Sequence, residues 1–119
     1  MSFFLAAASS DGQNIDRHFG HSDSFSIVRA EDDGSYELQE RRSVDSPCQH
    51  GFHEEGAMLR AVEALADCRY VLAEAVGHGA AAQLIARGIT PLEIDGPLSE
   101  AVRQVIVYEK RQHRNVQKA

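Results

Sequence analysis

The sequence predicts one α/β domain with a five-stranded mixed sheet and the element order βββαβαβα. Three observations lead to this prediction. Short apolar runs bounded by turn residues fill the first third of the chain, helical spacing of apolar residues alternates with further short runs afterwards, and no linker separates them. The length of 119 residues is typical of one domain. Residues 1–119 are therefore taken as a single unit.

The first three elements are predicted to be strands. Residues 3–8 form an apolar run that ends in a polar loop, which indicates a buried strand. Residues 24–30 alternate in polarity, and residues 36–42 follow with strand-forming side chains. Residues 31–34 join them with an Asp-Gly pair, which is typical of a hairpin turn. The second and third strands should therefore be antiparallel neighbours.

Two crossover units are predicted to follow. Residues 54–66 carry apolar side chains at helical spacing and precede a short apolar strand at residues 70–73. Residues 79–86 are an alanine-rich helix that precedes a last strand at residues 89–94. Proline at position 91 cannot donate a hydrogen bond to a neighbouring strand, which places this strand at the sheet edge.

The last helix is predicted to start at Gly96-Pro97, because proline is favoured in the first helical turn. Its apolar side chains recur on one face. They are Leu98, Ala101, Val102, Val105 and Ile106.

A meander followed by two crossovers makes the first, third, fourth and fifth strands parallel in direction. Their carboxyl ends then meet at one edge of the sheet, where open α/β sheets bind ligands. The loops at this edge carry five of the six histidines and one of the two cysteines. They are His18, His21, Cys48, His50, His53 and His78.

The stretch DSPCQHGFHEE at residues 45–55 holds three of these side chains within six positions. A thiolate and two imidazoles are suitable ligands for a soft metal or an iron–sulfur species. The same stretch also fits a polar loop before a helix. His18, His21 and His78 likewise fit either metal ligands or polar loop residues. Cys68 is predicted to be buried, because it lies between a helix and an apolar strand.

Composition excludes several classes of function. A net charge of −6 disfavours nucleic acid as a partner. No apolar run approaches the roughly 20 residues of a membrane span. A count of two cysteines fits a reducing compartment, so a cytoplasmic protein is expected. Four carboxylates are expected at the sheet edge, namely Asp11, Asp45, Glu74 and Asp95. They suit either hydrogen bonds within loops or the metal site of a Mg²⁺-dependent hydrolase.

Four motifs follow one another along the chain. ID-x-HFG-x-S-x-x-F-x-I at residues 15–27 is the most specific of them. PC-x-x-G-x-H at residues 47–53 and L-x-x-C-x-x-VL at residues 65–72 follow in order. The last is G-x-G-x-x-x-x-L-x-x-x-GI-x-P at residues 77–91. Together they resemble the dinitrogenase iron–molybdenum cofactor-binding family of the NifX and NifB C-terminal type, and the resemblance covers nearly the whole chain.

This resemblance implies a ribonuclease H-like fold and a role in nitrogen fixation. Members of the family bind the iron–molybdenum cofactor or its iron–sulfur precursor and pass it between assembly proteins. We therefore expect a non-catalytic, metal-binding carrier whose partners are the donor and acceptor proteins of metallocluster assembly. The alternatives are a scaffold or regulatory domain without a cluster and, less favoured, the metal-dependent hydrolase.

The resemblance nominates three cluster ligands at matching positions, which are His18, Cys48 and His53. The sheet-edge argument adds three further contacts, which are His21, His50 and His78.

Overall fold

The computed structural model describes residues 2–44 and 55–118. For residue 55 and residues 113–118, it describes the backbone alone. The strands are β1 (Ser2–Ala8), β2 (Asn14–Ile15), β3 (Ser24–Glu31), β4 (Tyr36–Ser43), β5 (Tyr70–Ala73), β6 (Thr90–Glu93) and β7 (Gly96–Pro97). The helices are α1 (Glu55–Ala64), α2 (His78–Ala86) and α3 (Leu98–Lys118), and a 3₁₀ helix spans Phe19–His21.

Five of these strands form one mixed sheet in the order β4-β3-β1-β5-β6. The pairs β1–β3 and β3–β4 are antiparallel, whereas β1–β5 and β5–β6 are parallel. This arrangement confirms the predicted mixed sheet and the predicted hairpin. It also confirms that the strand containing Pro91 lies at the edge.

The structure also contains a second, two-stranded sheet made of β2 and β7, which the predicted element order did not include. Asn14 pairs with Pro97 and Ile15 pairs with Gly96. The prediction that the last helix starts at Gly96-Pro97 was therefore wrong, since α3 begins at Leu98. Gly96 has a φ of 92°, a left-handed conformation that a helical residue does not adopt.

Helices cover both faces of the large sheet, because alternate residues of each strand point to opposite sides. On one face, α1, the turn that follows it and α2 pack through Met58, Ala61, Val62, Leu65, Ala80 and Leu84. On the other face, α3 packs through Leu98, Ala101, Val102, Val105 and Ile106. The apolar face predicted for the last helix is confirmed.

The buried carboxylate of Glu109 also holds α3 against the sheet. It accepts a hydrogen bond from the hydroxyl of Tyr70 and lies 3.0 Å from Nε of Arg69. Burial and this hydrogen bond raise the pKa of Tyr70 above its ordinary value, so the tyrosine remains the donor.

Arg42 ties the edge strand β4 to the end of α1. Its guanidinium donates to both carboxylate oxygens of Asp67, at 2.7 and 3.1 Å, and to the carbonyl of Ala64 at 2.8 Å. The last contact satisfies one of the carbonyls that a helix leaves unpaired at its C-terminus. The ion pair between Arg42 and Asp67 therefore helps to hold the end of α1 against β4.

We expect this pair to make stability depend on pH. Hydrogen bonding to Arg42 lowers the pKa of Asp67 below its ordinary value of 3.8. When the pKa of a carboxyl group is lower in the folded state than in the unfolded state, its ionised form stabilises the fold. This stability is fully present at pH values above the unfolded-state pKa and is lost as the pH falls through the folded-state pKa.

Asp67→Asn should therefore cost about 1 kcal/mol at pH 7, since the carboxylate is half-exposed, and much less near pH 2. Urea denaturation at both pH values measures the difference, with exposed Asp95→Asn as the control. An equal loss at both pH values would contradict the assignment.

Candidate ligand site at the sheet edge

A cavity of about 500 Å³ lies beyond the carboxyl end of β5, at the edge where the sequence places the histidines. This volume is within the range of small-molecule and cofactor sites. The cavity is lined by His18, Gly20, His21, Met58, Ala75, Val76, Gly77, His78, Gly79 and Ala80.

His18 reaches the cavity because the segment that carries it is bound to the end of β5. The N–H of Phe19 donates to the carbonyl of Ala75 at 2.9 Å, and the N–H of Glu74 donates to the carbonyl of Arg17 at 2.9 Å. These bonds form a parallel bridge between His18 and Ala75. The bridge fixes the backbone of His18 beside β5.

The side chain of Phe19 also holds this segment against the core. It is fully buried, and its ring packs against that of Phe25 with 5.6 Å between centroids. The phenylalanine of the His-Phe-Gly motif thus belongs to the core, whereas the histidine before it stays exposed.

His21 ends the 3₁₀ helix that begins at Phe19. Its N–H donates to the carbonyl of His18 at 3.1 Å, and this turn brings the two imidazoles to a centroid distance of 6.2 Å. Both side chains are exposed. Two imidazoles, whose nitrogens are potential borderline ligands, therefore face solvent on one wall of the cavity.

His78 is the first residue of α2 and supplies the third imidazole. The loop before it is held in place by β6, because a carboxylate oxygen of Glu93 accepts a hydrogen bond from the N–H of Val76 at 2.8 Å. The position of His78 is thus set by the sheet as well as by its own helix.

Apolar side chains complete the cavity. Met58 of α1 and Ala80 of α2 are buried, and Val76 is half-buried. The sequence analysis assigned Met58 only to the core of a helix, because helical spacing cannot show that a side chain also borders a cavity.

The described side chains form no compact three-ligand metal site. Among residues 2–44 and 56–112, no three His, Cys, Asp or Glu side chains are grouped closely enough to hold an ion. The imidazoles of His18, His21 and His78 lie instead around one open cavity.

Half of the six predicted contacts are brought together by the structure. His18, His21 and His78 line one cavity, as the sheet-edge argument predicted. Cys48, His50 and His53 lie outside the described residues, and their roles stay predictions.

Cys68 is buried, as predicted. Burial, reinforced by the charge of neighbouring Asp67, raises the pKa of its thiol to about 12. A thiol this weakly acidic remains protonated at neutral pH, and the protonated form is a poor ligand and a poor nucleophile.

Two of the four carboxylates proposed for a hydrolase have other contacts, and a third, Asp95, is exposed. Asp11 accepts hydrogen bonds from the N–H groups of Gln13 and Asn14 at 2.8 and 2.9 Å, which lower its pKa below the ordinary range. Glu74 lies beside His18, with 3.4 Å between Oε1 and Nε2. Asp45 lies in the part of the chain that is not described.

Comparison with known proteins identifies relatives that align with most of the chain. The family described as "Dinitrogenase iron-molybdenum cofactor" matches residues 1–108. The FeMo cofactor biosynthesis protein NifB of Herbaspirillum seropedicae is 32% identical over 107 residues, which are 90% of this chain and 20% of that protein. Protein NifX of Rhodobacter capsulatus is 30% identical over 107 residues, which are 87% of this chain and 67% of that protein. The chain thus spans about a fifth of the length of NifB.

Two solved structures share the fold. The crystal structure of PH0822 superposes with a TM-score of 0.62 at 20% identity, covering 87% of this chain and 88% of that one. The crystal structure of mj0327 from Methanocaldococcus jannaschii gives a TM-score of 0.57 at 15% identity and covers 92% of each chain. No helix in the described part of the chain is both long and apolar enough to span a membrane.

We expect Phe19→Ala to lower the free energy of unfolding by about 3–5 kcal/mol, because it leaves a cavity beneath the site. Ile85→Ala is the matched control, since Ile85 is 63% exposed and its truncation should cost less than about 0.5 kcal/mol. Chemical denaturation of both variants measures the difference. Similar losses for the two would show that Phe19 is not the anchor of this segment.

Proposed function

Because the chain belongs to the dinitrogenase iron–molybdenum cofactor family, we propose that it is a non-catalytic carrier of that cofactor or of its iron–sulfur precursor. It would act in metallocluster assembly in the cytoplasm, receiving the cluster from one assembly protein and delivering it to another. A ribonuclease H-like fold, which the family resemblance implies, is part of the same proposal.

The observation that carries this proposal is the set of three imidazoles around one cavity. His18, His21 and His78 border a common space of about 500 Å³. A polynuclear cluster offers several metal atoms to such ligands at once. A cavity with imidazoles at several points of its wall therefore suits a cluster as cargo.

The exposure of the ligands suits a carrier rather than a permanent holder. The three imidazoles are exposed, so an acceptor protein can approach the cargo from the open side. On the other side, buried Met58 and Ala80 keep water from the cargo. A few neutral nitrogen ligands bind firmly enough to retain a cluster and can be replaced one at a time during transfer.

The stretch at residues 45–55 is proposed to supply further ligands. The helix α1 begins at Glu55, and Met58 in its first turn already lines the cavity. The first turn of α1 therefore lies at the site. This supports Cys48, His50 and His53 as additional contacts to the cargo.

Anaerobic loading tests the histidines. The protein is mixed with isolated iron–molybdenum cofactor and desalted, and the iron retained per chain is measured. We expect retention by the wild type, and roughly ten-fold weaker retention after His18→Ala, His21→Ala or His78→Ala, because each removes one nitrogen ligand. His113→Ala, in α3, is the control. An absence of iron in the wild type would favour the scaffold or regulatory alternative.

The same assay applied to Cys48→Ala tests the thiolate separately. Loss of iron in this variant, with retention in Cys68→Ala, would make Cys48 a ligand. Retention in both would assign the binding to imidazoles alone.

A further inference from the structure

Glu74 touches His18 from outside the cavity. Its Oε1 lies 3.4 Å from Nε2 of His18, yet Glu74 is not among the residues that line the cavity. The carboxylate therefore contacts a cavity-lining histidine without itself bordering the space that the cargo would occupy.

The backbone sets this contact. Glu74 donates its N–H to the carbonyl of Arg17, and Phe19 donates its own N–H to the carbonyl of Ala75. These two bonds lie on either side of His18 in one segment and involve Glu74 and Ala75 in the other. His18 is thereby paired with Ala75, and Glu74 is the residue directly before its partner.

A carboxylate beside one ring nitrogen determines which nitrogen can bind a metal. A neutral imidazole carries one N–H and one lone pair, and an anionic acceptor beside Nε2 favours the proton at that atom. The lone pair then resides on Nδ1. In protein metal sites, carboxylates of this kind orient histidine ligands and strengthen binding by about 10–100-fold.

We propose that Glu74 is a positioning residue that holds His18 in the Nε2–H tautomer and so makes Nδ1 the nitrogen offered to the cargo. The inference rests on the proposed function in treating His18 as a ligand. It adds a residue outside the six predicted contacts.

The first test needs no cargo. Long-range ¹H–¹⁵N spectra at alkaline pH report the tautomer of each neutral histidine in the purified protein. We expect His18 to be predominantly Nε2–H in the wild type and to shift toward a mixture of tautomers in Glu74→Leu. The tautomer of His21 should not change in Glu74→Leu. The control variant Glu100→Leu, in α3 on the other face of the sheet, should leave the tautomer of His18 unchanged. An unchanged His18 in Glu74→Leu would overturn the proposal.

The second test measures retained iron–molybdenum cofactor in a double-mutant cycle. Glu74→Leu should weaken retention about ten-fold in the wild-type background and should have no further effect when combined with His18→Ala. Glu74→Asp should restore part of the loss, since it keeps a carboxylate. Equal effects of Glu74→Leu in both backgrounds would show that it does not act through His18.

The two tests separate the failure of this inference from that of the proposed function. A wild type that retains no cofactor would end the carrier proposal, whereas the tautomer spectra would still decide whether Glu74 orients His18.

Discussion

The site depends on the pairing of one short loop segment with the end of a buried strand. Hydrogen bonds join Arg17 to Glu74 and Phe19 to Ala75, and they bring a loop that follows β2 against the start of the β5–α2 connection. Without this pairing, His18 and His21 would have no fixed relation to His78. Burial of Phe19 holds the segment in place, because moving it would expose a large aromatic side chain to water.

The rest of the fold keeps the partners of this pairing rigid. β5 lies in the middle of the parallel part of the sheet, with β1 and β6 on either side. Glu93 of β6 then fixes the loop beyond β5 through the N–H of Val76. The exposed histidines are thereby held by a buried framework, which lets the cavity stay open without losing its geometry.

Much of the sheet could be predicted from the sequence, because alternation and turn chemistry are local signals. The hairpin at Asp33-Gly34 and the edge strand at Pro91 are confirmed for that reason. The convergence of three histidines could also be predicted, since parallel strands must end at one edge. That argument needs only the direction of the strands and the loops that contain His18, His21 and His78.

Other features have no local signal. The strands at Asn14–Ile15 and Gly96–Pro97 are two residues long, too short for any periodicity, and Gly-Pro is also a good helix start. Glu109 reads as an exposed helical carboxylate, and only the tertiary contacts with Tyr70 and Arg69 explain its burial. The contact of Glu74 with His18 likewise depends on residues 56 positions apart meeting across the fold.

The central claim is that imidazoles around the cavity contact a metallocluster directly. Pulsed electron paramagnetic resonance of the bound iron–molybdenum cofactor, in protein labelled with ¹⁵N only at histidine, tests it most directly. The account predicts ¹⁵N coupling to the cluster in the wild type and its loss when His18, His21 and His78 are all replaced by alanine. Retained cofactor with no histidine coupling would contradict the claim and place the cargo elsewhere on the protein.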